Sequence, residues 1–336
     1  MRQDNSISNI DIVFPWVDGS DPAWQENKRR YSDHPDENDA VRFRDWGLLK
    51  YVFRGIEQNL PWVRKVHFIT CGHVPEWLDL DYPKLHFVKH SDYIPEQWLP
   101  TFNSHPIELN IHRIPDLSEQ FIYMNDDIFF VKPMKPEDFF QQGKPVSQAG
   151  LEIISESDRQ FTGILYSDLE VINRQFFSRK VFPKTFFKFV SPRYGFKENY
   201  KTLRIAPWCF GYYPGLSYVH GPNAYLKSTF EEAWRKATEV LEETSSHKFR
   251  TYTDVNQYLM LWWQWCKGDF VPQNMKKSLK YLGVNKDFDF LRNGIENPST
   301  PMICVNDVPI HDFEEKKECV TASFEKILAN KSQFEL

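Results

Sequence analysis

"QFIYMNDDIFF", residues 120–130, sets Asn125, Asp126 and Asp127 between two apolar runs. Drawing a carboxylate out of water costs several kcal/mol, roughly, unless a base, a helix N-terminus or a cation compensates it. Neighbouring side chains of a regular strand point to opposite faces, so two adjacent acids share a pocket only where the strand ends and the chain turns. The stretch therefore predicts a buried strand with its acids at the carboxyl end.

The chain on either side repeats the pattern. Residues 105–114 carry Ile107, Ile111 and Ile114 on one stripe and stop at Pro115, which predicts a helix. Glu108 and His112 stand four apart on that helix, where a carboxylate could orient an imidazole. "LHFVKH" (85–90), "KVHFITC" (65–71) and "DIVFPWV" (11–17) read as short buried strands. The last of these runs into the turn Asp18-Gly19-Ser20-Asp21-Pro22. Between them a helix starts at Asp45 as its cap, with Leu48, Leu49, Val52 and Ile56 at helical spacing. Alternation of this kind predicts an α/β core with a mainly parallel sheet. Ligands of such sheets bind at the carboxyl ends of the strands. The clusters 18–21, 72–73, 90–92 and 125–127 all follow strands and are expected on one rim.

Residues 141–215 show no regular pattern. Beyond them, Ser228-Thr229-Phe230-Glu231 reads as a capping box, and Thr253 as the cap of a helix containing Leu259, Trp262 and Trp263. "MICVNDVP" (302–309) is a strand ending in a second Asn-Asp pair, Asn306 and Asp307, and 313–330 is a charged amphipathic helix. The expected organisation is an α/β core over 1–140, a variable insertion over 141–215 and a largely helical portion over 216–336 that returns to the core at 302–309.

Composition narrows the function. With 28 Phe, 15 Tyr and 11 Trp among 336 residues, a core is easily built. Forty-one basic against 46 acidic residues, net −5 and without a basic block, excludes a nucleic-acid binder held by bulk charge. Five scattered cysteines without a C-x-x-C pair fit a reducing, cytoplasmic setting. The polar start "MRQDNSISNI" has no signal core, and no apolar run is long enough to span a membrane, so any membrane association would be peripheral. P-loop, dinucleotide and G-x-S-x-G signatures are absent.

Hard oxygen donors at Asp126 and Asp127, with Asn306 and Asp307 as further ligands, suit Mg²⁺ or Mn²⁺ carrying substrate phosphates. His220, in "YVHGPNAY", lies in a Gly-Pro loop that can expose a general base; His112 is the other candidate. Arg113 and Arg250 stand close to histidines in "HR" and "HKFR" and offer forks for a phosphate oxygen. The residues alone support a metal-dependent α/β enzyme acting on a phosphate-bearing substrate.

Four blocks of the chain resemble the Stealth family, hexose-1-phosphate transferases of bacterial capsule synthesis that include the animal lysosomal-enzyme N-acetylglucosamine-1-phosphotransferase. "DIVFPWVDGSDPAW" resembles the first block, and "RFRDWGLLKYVFRGIEQNLPWVRKVHFITCGHVPEWL" through "LPTFNSHPIELNIHRIPDLSEQFIYMNDDIFF" the second. "VHGPNAY" with "SSHKFRTYTDVNQYL" resembles the third, and "ICVND" the fourth. Animal members carry a second histidine where this chain has Asn223. The resemblance implies a Rossmann-like core that binds a UDP-sugar, and transfer of sugar-1-phosphate to a hydroxyl of a glycan acceptor, free or lipid-linked, with release of UMP. It implies that Asp126 and Asp127 hold the metal, assisted by Asp307 and Asn306. Trp16, Asp18, Gly19 and Asp21, near Arg44 and Asp45, would line the nucleotide-sugar pocket. Arg113 and Arg250 would neutralise phosphoryl charge, and His220 or His112 would take the acceptor proton. A metal-dependent glycosyltransferase releasing UDP is the alternative, and a non-catalytic carbohydrate-binding subunit of a capsule complex the third reading.

Overall fold

The structure, a computed structural model, describes residues 9–32, 43–155, 159–209 and 211–336. The N-terminal reading at residues 1–8, and Arg42 of the second block, lie outside the described residues. In chain order come β1 (Ile10–Pro15), α1 (Pro22–Tyr31), α2 (Leu49–Asn59), β2 (Val66–Thr70), β3 (Leu85–Lys89), α3 (Ser104–Leu109) and β4 (Gln120–Tyr123). They are followed by β5 (Ile128–Phe130), β6 (Phe140–Gln141), β7 (Lys144–Ser147), α4 (Arg159–Gln175), α5 (Ser178–Phe189) and α6 (Phe196–Ile205). Next are β8 (Asn223–Leu226), α7 (Lys227–Lys236), α8 (Thr238–Ser246), α9 (Gln257–Lys267) and β9 (Val271–Pro272). The chain closes with β10 (Leu279–Gly283), α10 (Phe288–Glu296), β11 (Met302–Asn306) and α11 (Phe313–Ile327). Two compact units result: the first holds residues 1–89, 123–135 and 276–336, the second 90–122 and 136–275.

In the first unit β1 runs parallel to β2, and β2 to β3. Ile12, Val13, Phe14, Val66, Phe68 and Ile69 are buried, as strands of a parallel sheet covered on both faces must be. The Met124 amide donates to the Val13 carbonyl at 3.1 Å, which brings the end of the β4 segment beside β1. A second sheet pairs β10 parallel to β11, and β11 antiparallel to β5. The Phe14, Phe53 and Phe68 rings lie 5.3–5.5 Å apart and form the centre of the core. In α2, a Cβ on Gly55 would come within 2.7 Å of the Phe130 carbonyl, so glycine permits the helix to lie on β5. The C-terminal segment is tied to α2. Buried Arg54 donates to both Glu335 oxygens (2.8 and 2.9 Å) and to the Leu328 carbonyl (2.8 Å).

The second unit is mostly helical. Its centre is α9, on which Trp262, Trp263 and Trp265 are fully buried. A small sheet sets β6 antiparallel and β9 parallel to β7. The fold is α/β with mainly parallel pairings, as the strand–helix alternation predicts.

Local details depart from the sequence reading. Asp45 caps no helix: its Oδ1 accepts from the Gly47 amide at 2.8 Å, and α2 begins only at Leu49. The helix expected over 105–114 is α3, capped by Asn103 accepting from the His105 amide (3.1 Å), followed by a tight turn at Ile111–Arg113. Ser228 does not cap α7, because its hydroxyl and amide bond to Glu119 instead. Asn256, not Thr253, caps α9 by accepting from the Tyr258 amide at 2.9 Å. The stretch read as irregular contains α4, α5 and α6.

Candidate active site

β1 ends at Pro15 and β2 at Thr70, and because they are parallel their loops leave the same edge. There the Asp18 amide donates to His73 Nδ1 at 2.9 Å, while His73 Nε2 lies 2.9 Å from Asp21 Oδ2. With Nδ1 accepting, Nε2 carries the proton and donates to Asp21, so one imidazole fastens both acids of "DGSD". Asp21 also caps α1, accepting from the Ala23 amide at 2.7 Å. That bond chiefly, then the Trp24 amide and His73, holds its carboxyl below the ordinary value against the opposing effect of burial. Trp16 stacks on Phe68 with its ring 5.9 Å away and meets His73 edge-on. Gly19 has a structural reason: a Cβ there would lie 2.0 Å from the Phe43 carbonyl.

Antiparallel pairing of β5 with β11 sets Cys304 opposite Ile128, and the Val305 amide donates to the Asp127 carbonyl at 2.9 Å. Residues 125–127 and 305–307 thus leave the second sheet at one end, which brings both Asn-Asp pairs together. Asp126 is exposed and Asp127 half-buried. The Cys304 thiol lies 3.2 Å from Asp127 Oδ2. Burial, with the Asp127 carboxylate beside it, pushes that thiol well up, so it stays protonated and donates. Two acids and an amide oxygen within one unit are a donor set that fits a hard divalent cation.

Asp307 has strong partners of its own. Its Oδ2 accepts from Arg44 Nε at 3.0 Å and Trp46 Nε1 at 2.9 Å, and its Oδ1 from Arg44 Nη2. The Arg44 guanidinium lies 4.4 Å over the Phe313 ring. Asp45 is exposed beside this pair.

His220, His112, Arg113 and Arg250 all belong to the second unit. His220 is half-buried in the loop before β8, a loop pinned by Asn223 Nδ2 donating to the Gly221 carbonyl at 3.1 Å. His112 packs against the rings of Phe230 and Trp234, and its Nδ1 is buried with no hydrogen-bond partner among the described residues. Burial first, then Arg113 beside it, pushes its pKa down to about 3. Glu108 does not orient it, since that carboxylate accepts from the Gln257 amide at 3.2 Å. Arg113 is exposed, 4.7 Å over the Trp234 ring. Arg250 Nη2 donates to Ser104 Oγ at 2.7 Å.

The sequence reading missed a hub beside Arg250. Fully buried Asp254 accepts from His105 Nδ1 (2.8 Å), Asn103 Nδ2 (2.8 Å), His247 Nδ1 (2.7 Å) and Thr251 Oγ1 (2.7 Å). Burial alone would raise its pKa, but the bonds from His105, Thr251 and Asn103 hold it down to about 2. It thereby fastens the 247–254 segment to α3. His73 falls in the rim cluster 72–73, but the sequence reading gives it no role. Its one signal was its place after β2.

Comparison with known proteins follows the same residues. Models of Stealth conserved region 1 and conserved region 2 match residues 8–36 and 42–147. A capsular polysaccharide phosphotransferase, WcwK of Streptococcus pneumoniae, is 37% identical over 337 residues, covering 98% of this chain and 99% of its own. The chain belongs to the Stealth family of phosphotransferases. Another relative, the exopolysaccharide phosphotransferase cps2G of Lactiplantibacillus plantarum, is 35% identical over 97% of this chain and 96% of its own. The galactosyltransferase LgtC, solved with donor and acceptor sugar analogs, matches 93% of this chain and 95% of its own at 12% identity and a TM-score of 0.39, too distant to carry an argument. In this Stealth protein, conserved region 1 holds Trp16, Asp18, Gly19 and Asp21, and region 2 holds Arg44, Asp45, His112, Arg113, Asp126 and Asp127. His220, Arg250, Asn306 and Asp307 fall in the remainder that the full-length relatives cover.

Proposed function

We propose that this protein moves a sugar-1-phosphate from a UDP-sugar to a hydroxyl of a polysaccharide or oligosaccharide, making a phosphodiester in capsule or cell-surface polysaccharide synthesis. The acceptor oxygen attacks the phosphorus that bears the sugar. The new P–O bond forms as the bridging P–O bond to UMP breaks, and UMP leaves with the electron pair. The observation that carries this reading is the meeting of the two Asn-Asp segments at one sheet end. Full-length likeness to proteins named polysaccharide phosphotransferases supports it.

Asp126 and Asp127, with Asn306, are the residues we assign to Mg²⁺ or Mn²⁺; bound there, the ion would neutralise diphosphate charge. Asp307, engaged by Arg44 and Trp46, reaches such an ion only as a secondary ligand and chiefly aims the Arg44 fork. The donor's nucleotide and sugar fall to Trp16, Asp18, Gly19 and Asp21, with Arg44 and Asp45. His220 takes the acceptor proton, because His112, held near pKa 3 against two aromatic rings, is a poor base. Arg250, anchored on Ser104, and Arg113 stabilise charge on the phosphoryl oxygens. The residues assigned to the donor and the metal belong to the first unit, and His220, Arg113 and Arg250 to the second. No described helix is long and apolar enough to cross a membrane, and we place the enzyme on the cytoplasmic side, working on glycans there.

The test is to incubate purified protein with Mg²⁺, a panel of UDP-sugars and an oligosaccharide acceptor, and to identify the released nucleotide by chromatography. Acceptor-dependent UMP is expected. Release of UDP would replace the reading with glycosyl transfer.

A further inference from the structure

An apolar stripe on a helix ordinarily faces the core. Helix α6 carries one that faces solvent. Phe196, Tyr200 and Leu203 stand at i, i+4 and i+7, one face of the helix, and are 86%, 53% and 45% exposed. The opposite side, Thr202 and Ile205, is the buried one. Trp208, in the turn directly after α6, is 70% exposed. The Phe196 and Tyr200 rings stack on each other at 5.9 Å with nothing apolar covering them to this degree of exposure.

Charge runs alongside the stripe. Lys197, Lys201 and Arg204 each follow a stripe residue by one position, and the Arg204 guanidinium lies 5.7 Å from the Tyr200 ring centroid. Lys201 is shared with Glu152, and Glu198 is the acid on the helix itself. From 176 to 208 the sequence has eight Lys or Arg and one acid, within a chain whose net charge is −5. Segregated Lys and Arg beside exposed Phe, Leu and Trp are what a helix lying in the interface of an anionic bilayer requires. Trp and Tyr suit the headgroup level, and Phe and Leu the acyl boundary. A glycan-stacking surface would use Trp and Tyr but gains nothing from an exposed Phe196 and Leu203, so the composition favours lipid.

We propose that α6 and the turn through Trp208 form a docking surface for anionic phospholipid, with Phe196, Tyr200, Leu203 and Trp208 entering the interface and Lys197, Lys201 and Arg204 meeting the headgroups. This rests on the exposure and charge of α6 alone and stands or falls apart from the transfer reaction. It would hold the enzyme at a membrane surface, where an acceptor carried on a lipid would be met in two dimensions.

The experiment is co-sedimentation of the full chain with phosphatidylcholine vesicles, with and without phosphatidylglycerol, at low and high salt. Binding is expected only with phosphatidylglycerol, and it should weaken as salt rises. Lys197→Glu with Arg204→Glu should lower the partition coefficient by about 30-fold or more. Phe196→Ser with Leu203→Ser should also release the protein while leaving its circular dichroism and UMP formation on a soluble acceptor unchanged. Absence of wild-type binding, equal binding by either variant, or capture by soluble anionic polysaccharide in place of vesicles would overturn the proposal.

Discussion

The Val305 amide donates to the Asp127 carbonyl at 2.9 Å, and this one ladder bond aligns two Asn-Asp segments nearly 180 residues apart in the chain. Everything assigned to the metal depends on it. The β5–β11 pairing is antiparallel, so residues beyond Asp127 toward the N-terminus lie beside residues beyond Val305 toward the C-terminus.

Asp126→Asn and Asp127→Asn keep shape and remove charge. Each should lower kcat by about 10²–10³-fold with the melting temperature nearly unchanged, since Asp126 is exposed and Asp127 half-buried. Initial rates across a Mg²⁺ titration check this. Wild-type turnover in either variant would remove that residue from the metal assignment.

The two histidines separate cleanly. His220→Gln should cut kcat by about 10²–10⁴-fold, the usual contribution of a positioned base. His112→Gln should change kcat far less and act mainly on folding, because His112 is packed between Phe230, Trp234 and Arg113. Comparing kcat with urea-unfolding midpoints for both variants decides the matter.

Arg54 and Glu335 form a buried, two-pronged ion pair joining α2 to the C-terminal segment. Without Glu335, Arg54 keeps Glu325, 3.4 Å from its Nη1, and the Leu328 carbonyl, but its Nε and Nη2 lose their acceptors, so Glu335→Ala should destabilise by about 3 kcal/mol. Loss of the last turn should show as early proteolysis at the C-terminus. A melting temperature equal to wild type would contradict this.

Asp254 gives a dependence on acid. Its folded pKa is depressed to about 2 against an ordinary 3.8, so its contribution is complete above about pH 4 and is lost as pH falls through about 2. Its size is on the order of 2 kcal/mol. Urea unfolding of wild type and Asp254→Asn should differ by that amount at pH 6 and converge toward pH 2. A gap that persists unchanged at low pH would mean packing, not charge, carries the effect.

Some of this was legible in the sequence because it is local. The strands at 11–17, 65–71 and 85–90, and the acids at the end of the 120–123 strand, follow from short apolar runs closed by polar turns. What escaped is non-local or competitive. Thr253, Asp254 and Asn256 are all good caps, and only the structure shows that two histidines and Asn103 claim Asp254 and leave the cap to Asn256. The demand on Gly19 is also non-local: a Cβ there would lie 2.0 Å from the Phe43 carbonyl, a constraint that no short stretch of sequence shows. Helices α5 and α6 hid for a different reason. Pro183 sits inside α5, and the aromatics of α6 lie on its exposed face, so neither segment shows a clean core-facing stripe.

The most direct test of the central claim follows the phosphorus itself. UDP-sugar labelled with ³²P in the sugar-bearing phosphate is incubated with enzyme, Mg²⁺ and acceptor, and glycan is separated from nucleotide. Sugar-1-phosphate transfer predicts that the label enters the glycan in step with the sugar, leaving unlabelled UMP. Label retained in UDP while the sugar moves to the glycan would contradict the account.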